Sequence, residues 1–92
     1  MEFLVQITVR FPPEMTAEQL ADIMQRETVR GRELQQAGTI VRIWRVAGKR
    51  ANVGIWSAET GDELHAAITS LPAFPWLEAT VTPLATHHLE AP

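Results

Sequence analysis

The chain has 92 residues, 46% of them hydrophobic and 21% charged, with a formal net charge of -3 and no cysteine. That length allows one domain over residues 1–92, near the lower limit at which a single core suffices, so assembly into a homo-oligomer is expected to support it. The lack of cysteine excludes disulfide staples, thiolate nucleophiles and cysteine-ligated zinc, while the acidic balance and scattered basic residues disfavour nucleic acid as a partner.

Residues 2–10 alternate, with Phe3, Val5, Ile7 and Val9 on one side and Glu2, Gln6, Thr8 and Arg10 on the other, which predicts a half-buried strand. No apolar run approaches the ~20 residues of a membrane span, and Met1-Glu2-Phe3-Leu4 lacks the basic start of a signal peptide, so a cytoplasmic location without membrane contact is expected. Pro12-Pro13 ends the strand. Thr16 followed by Gln19 forms a capping-box pattern that opens a helix running to about Ala37, with Gly38 as its stop.

Ile40 to Val46 and Val53 to Trp56 are rich in β-branched and aromatic residues, and Ala47-Gly48-Lys49-Arg50 between them predicts a hairpin. Simple alternation sets Ile40, Trp44 and Val46 on one side of the first of these strands and Val41 and Ile43 on the other. Apolar residues on both sides favour burial against a second subunit. Thr60 with Glu63 predicts a second capped helix, whose Leu64, Ala67, Ile68 and Leu71 share a face and which Pro72 closes. A stiff loop, Leu71 to Trp76, leads to a last alternating strand through Leu77, Ala79 and Val81, and the tail from about residue 86 is expected to be loosely ordered. The order β-α-β-β-α-β predicts an α+β, ferredoxin-like domain: an antiparallel sheet with two helices on one face.

On a wheel of the first helix, Leu20, Ile23, Met24, Gly31 and Leu34 form an apolar stripe, and Glu27 falls in its middle. A carboxylate there must be paired, hydrogen-bonded or neutralised. Desolvation raises its pKa and makes it a candidate general base, with Gly31 one turn later leaving room for a ligand. The competing reading is an ordinary ion pair with Arg42 or Arg45. Trp44-Arg45 with Lys49-Arg50 gathers cations near the hairpin turn, either as a solvated turn or as a site for the carboxylate of a small acid. Asn52, on the polar side of Ala51 and Val53, is placed to bond either backbone or ligand. Trp56, Phe74 and Trp76 are candidates for pocket wall, core or interface, with rim or interface favoured for Phe74-Pro75-Trp76. His65, His87 and His88 lack a third ligand at metal-site spacing, and the sequence has no phosphate loop or nucleophile elbow, so neither a metal nor a cofactor is expected.

The Phe3-x-Val5 opening, Met15, Glu27, Leu34-Gln35, Gly38, Trp44-Arg45-x-Ala47-Gly48, Ala51-Asn52, Glu63-Leu64-His65, Ser70-Leu71-Pro72-x-Phe74-Pro75 and Val81-Thr82-Pro83-Leu84 together resemble the muconolactone delta-isomerase family over nearly the whole chain. The resemblance implies a ferredoxin-like subunit of a decamer in catechol degradation through the β-ketoadipate pathway. It also implies a cofactor-independent allylic proton shift that converts muconolactone, a small lactone acid, to 3-oxoadipate enol-lactone. Glu27 matches the family's proposed base, and Trp44, Arg45, Arg50 and Asn52 are the expected substrate-binding residues. Arg50 and Gly54 stand where the family usually carries tyrosine and serine, and Ile40 where it carries an aromatic. Those departures leave open a substituted or chlorinated lactone, a dehalogenase-like reaction, or small-acid binding without turnover.

Overall fold

The structure, a computed structural model, describes residues 1–90. Strand β1 (Glu2–Val9) leads through helix α1 (Ala17–Gln36) to the hairpin β2 (Ile40–Arg45) and β3 (Ala51–Ser57), and helix α2 (Gly61–Thr69) leads to β4 (Leu77–Leu84). The four strands form one antiparallel sheet in the order β2-β3-β1-β4, which is the ferredoxin-like arrangement expected. Beyond β4 a short 3-10 turn spans His88–Glu90, and the last two residues of the expected loose tail lie outside the described chain.

The helix ends follow from local chemistry. Thr16 Oγ1 accepts the Gln19 N–H and the Gln19 side chain accepts the Thr16 N–H, completing the expected capping box. Gly38, at φ +79°, stops α1 in a conformation that side chains with a Cβ avoid. At α2, Thr60 Oγ1 accepts the Glu63 N–H, but the Glu63 carboxylate reaches past Thr60 to the Glu59 N–H at 3.0 Å, so the second box is shifted by one residue. The helix stops at Thr69, three residues before Pro72.

The core fills one end of the helix–sheet layer. Phe3, Val5 and Ile7 meet Ile40 and Trp56 across the sheet, and Leu34, Leu64, Ile68 and Leu71 cover them. Trp56 is only 1% exposed and so belongs to this core rather than to a pocket wall. Truncating a buried aromatic of this kind costs about 3–5 kcal/mol.

One irregularity changes the facing of β2. Ile40 pairs with Trp56 and Arg42 with Ile55, so Val41 is the extra residue of a bulge. An extra residue reverses the alternation beyond it. Ile40, Ile43 and Arg45 therefore lie on the helix side, opposite Trp56, Gly54 and Asn52, and Arg42 and Trp44 lie on the open side. This corrects the two faces expected from simple alternation. Asn52 likewise shares the Ile7 and Trp56 side, while Ala51 and Val53 face outward.

The bulge presses on Gly54, where a Cβ would lie 2.7 Å from the Arg42 carbonyl oxygen and 3.4 Å from Trp56 Nε1. The first of these contacts is with backbone, which cannot swing aside. Gly54→Ser is expected to destabilise the fold by about 1–3 kcal/mol, read as a lower urea midpoint; an unchanged midpoint would mean that β2 moves away freely.

Candidate active site

At the other end of the layer the first half of α1 stands over side chains that do not close a core. Val9, Ile43, Arg45 and Asn52 come from the sheet, Leu20, Met24 and Glu27 from the helix, and Phe11 and Ala73 from the two adjoining loops. They enclose a cavity of about 490 Å³, within the range of small-molecule sites.

Glu27, Arg45, Arg50, Asn52 and Trp44, four of them more than fifteen positions along the chain from the glutamate, all border this one space. The hairpin supplies Arg45 and Asn52 as directly paired residues on the helix side, and Arg50 follows from its turn. Trp44 reaches the cavity at its edge, since its ring lies on the open side beneath the Arg42 guanidinium, 4.8 Å from the ring centroid. Gly31 is not part of the wall, contrary to the expectation that it makes room for a ligand, although a Cβ there would meet no atom within 4 Å. Phe74 and Trp76 do not line the cavity either; Trp76 packs against Phe11, with ring centroids 5.6 Å apart.

Glu27 is half-buried, and its Oε1 accepts the Ala73 N–H at 3.1 Å. Among the described residues it has no ion-pair partner, so the expected alternative of a pair with Arg42 or Arg45 is not what the structure shows. Burial in apolar surroundings pushes its carboxyl above the usual range, opposed by the single backbone N–H. Arg45 and Arg50 also lack acidic partners among the described residues. Asn52 Oδ1 is buried with no protein donor among them, an orphaned polar atom at the cavity wall.

The histidines are elsewhere. His65 is exposed on α2, and His87 and His88 stack on one another after β4, with His87 Nδ1 accepting the Leu89 N–H. Phe11 escaped the sequence reading, which placed Val9, Leu20, Met24, Ile43 and Ala51 only on their strand or helix faces. Ala73, read only as part of the stiff loop, acts through its backbone, for which no side-chain signal exists.

A family profile described as Muconolactone delta-isomerase matches residues 1–90. The chain belongs to the muconolactone delta-isomerase family. It is 40% identical to the Muconolactone Delta-isomerase of Cupriavidus pinatubonensis over 87 residues, 95% of each chain. It is 36% identical to Muconolactone Delta-isomerase 2 of Acinetobacter lwoffii over 95% of this chain and 91% of that one. The crystal structure of a muconolactone isomerase superposes with a TM-score of 0.92 at 30% identity, covering 99% of this chain and 95% of the other.

The raised carboxyl of Glu27 has a consequence for stability. A carboxyl whose folded pKa lies above its unfolded value favours folding most when protonated, and that contribution is lost as pH rises through the folded value. Glu27→Gln removes the charge and keeps an acceptor for the Ala73 N–H. We expect it to raise the melting temperature at pH 8 and to change it little at pH 4, in paired thermal melts; equal effects at both pH values would contradict the direction of the shift.

Proposed function

We propose that this chain isomerises muconolactone to 3-oxoadipate enol-lactone, with Glu27 as the one base that removes and returns the proton. The observation that carries this reading is a carboxylate, half out of water and with no ion pair among the described residues, facing a cavity on which two arginines also open, neither with an acidic partner among those residues. The relatives named above are isomerases of this lactone, and the chain spans them almost end to end.

The geometry suits an allylic shift. Oε1 of Glu27 is held by the Ala73 N–H, which leaves Oε2 to work in the cavity. In the lactone the hydrogen on the ring carbon bearing the side chain is acidic, because the electron pair left behind spreads through the double bond into the lactone carbonyl. Oε2 takes that proton, the C–H electron pair becomes a dienolate, and the same carboxyl returns a proton to the carbon next to the carbonyl. Both carbons belong to one small ring, so a single carboxyl reaches each with little motion. A carboxyl whose pKa is raised toward working pH serves as base in the first half and acid in the second.

Arg45 is assigned to the substrate carboxylate, and Arg50 with the Asn52 amide to the charge that develops on the lactone oxygen. Trp44 forms the rim. Arg50 adds a charge where the family usually has a phenol, which makes it the residue most able to alter substrate preference. No cofactor is required. The outward side of the sheet, with Trp44 at 46% exposure and Leu84 at 38%, supports assembly into a homo-oligomer, and we take the decamer implied by the family as its form. No helix among the described residues is long and apolar enough to cross a membrane, and we assign the enzyme to the cytoplasm and to catechol breakdown.

The test follows ultraviolet absorbance on mixing the protein with muconolactone. Wild type should turn over, and Glu27→Gln should lose about a hundredfold to ten-thousandfold in kcat while keeping its fold, the scale expected when a general base is removed. Turnover by Glu27→Gln would remove Glu27 from this role. Release of halide from a chlorinated lactone, with none of the isomerisation, would move the reaction to the dehalogenase-like class. Arg45→Met should raise KM more than it lowers kcat, since it removes a binding charge rather than the proton carrier.

A further inference from the structure

The Glu27 carboxylate is met by a backbone segment that carries no charge of its own. Residues 70–76 read Ser-Leu-Pro-Ala-Phe-Pro-Trp, and they form a chain of consecutive turns: Leu71 N–H donates to Ile68 O at 3.2 Å, Phe74 N–H to Leu71 O at 2.9 Å, and Trp76 N–H to Ala73 O at 2.9 Å. The far end is fastened to the sheet by the Arg10 N–H, which donates to Trp76 O at 2.9 Å. Leu71 and Ala73 are buried, at 7% and 1% exposure, and act as pegs. The near end is fastened to α1. Arg30 Nε donates to Ser70 Oγ at 2.9 Å, and Ser70 Oγ donates in turn to Ala67 O at 2.6 Å, in the last turn of α2. Arg30 lies one turn beyond Glu27 on the same helix, so α1 grips this segment twice: through Arg30 at Ser70 and through Glu27 at Ala73.

We infer that Arg30 and Ser70 are positioning residues for the reaction, holding the Ala73 N–H on Glu27 Oε1 so that Oε2 alone faces the substrate. The inference rests on Glu27 being the base. Its physical content is that a carboxylate held by one fixed donor has a set plane and a set free oxygen, whereas a loosened segment lets the group rotate and weakens the one bond that opposes its desolvation. No other protein donor among the described residues reaches that carboxylate. Arg45 from β2 and Arg50 from the hairpin turn are the charged groups on the cavity from the facing elements, and the 70–76 segment contributes none.

The experiment compares wild type with Ser70→Ala, Ser70→Thr and Arg30→Lys. The Glu27 carboxyl is titrated by 13C NMR in glutamate-labelled protein, with Glu27→Gln identifying the signal, and kcat/KM is measured against pH. In Ser70→Ala the carboxyl should titrate at higher pH, and the acid limb of kcat/KM should move with it. That shift gives a loss of about threefold to tenfold below the limb, the size of a weakened hydrogen bond to a charged group, and little change on the alkaline plateau. Arg30→Lys, which keeps the charge and loses the Nε donor, should move both readouts the same way, and Ser70→Thr should restore them. A merely structural role would lower the plateau and leave the titration in place. A folded Ser70→Ala whose Glu27 titrates as in wild type overturns the inference. Turnover by Glu27→Gln would instead overturn the choice of base, and the NMR titration would still decide whether the tie acts on the carboxyl.

Discussion

A carboxylate on the core-facing stripe of a helix has to be compensated from somewhere, and in this fold the protein groups that could do so with charge are kept off it. Glu27 has neither arginine as an ion-pair partner and receives one backbone N–H, from Ala73. A full ion pair would hold the pKa low and make the group a poor proton carrier at neutral pH. A dry site with no donor would keep the proton on the carboxyl. One N–H is the intermediate condition, and three parts of the fold produce it: the long α1 that carries the glutamate, the pegged turns that present the donor, and the hairpin that brings cations to the cavity wall without pairing them with the carboxylate.

The cavity exists because the core is filled unequally. Toward the start of β1 the helix side is occupied by Phe3, Val5, Ile40, Trp56 and Leu34, which pack as a continuous cluster. Toward the hairpin the corresponding positions are Asn52 and Arg45, polar side chains that do not join that cluster, and the cavity lies between them and the first half of α1. The bulge at Val41 is what delivers that pair. Without the extra residue Arg45 would point away from Glu27, and the site would lose one of its two cations. Gly54 accommodates the bulge, because the Arg42 carbonyl occupies the place of a side chain there.

Much of this was legible from residue order. The element sequence, the capping box at Thr16 and the stop at Gly38 follow from local chemistry that acts within four or five residues. The singular place of Glu27 follows from the wheel, since an ionisable group amid Leu20, Ile23, Met24 and Leu34 breaks the pattern of its helix. The gathering of Arg45, Arg50 and Asn52 near one another follows from the hairpin, whose two arms must pair.

What residue order could not convey has a common cause, which is that it depends on contacts between distant segments or on the backbone alone. The facing of β2 turned on a bulge that no composition signal marks, so simple alternation assigned Ile40 to the side of Trp44. Trp56 stays open between wall, core and interface until the sheet order pairs it with Phe3. The partner of Glu27 is an amide N–H forty-six residues away, and every residue except proline carries one. By itself the sequence determined which elements form and which side chain is chemically out of place, because those are short-range properties of the chain; only the tertiary structure decided what meets that side chain, because register and loop docking are settled by packing between separate segments.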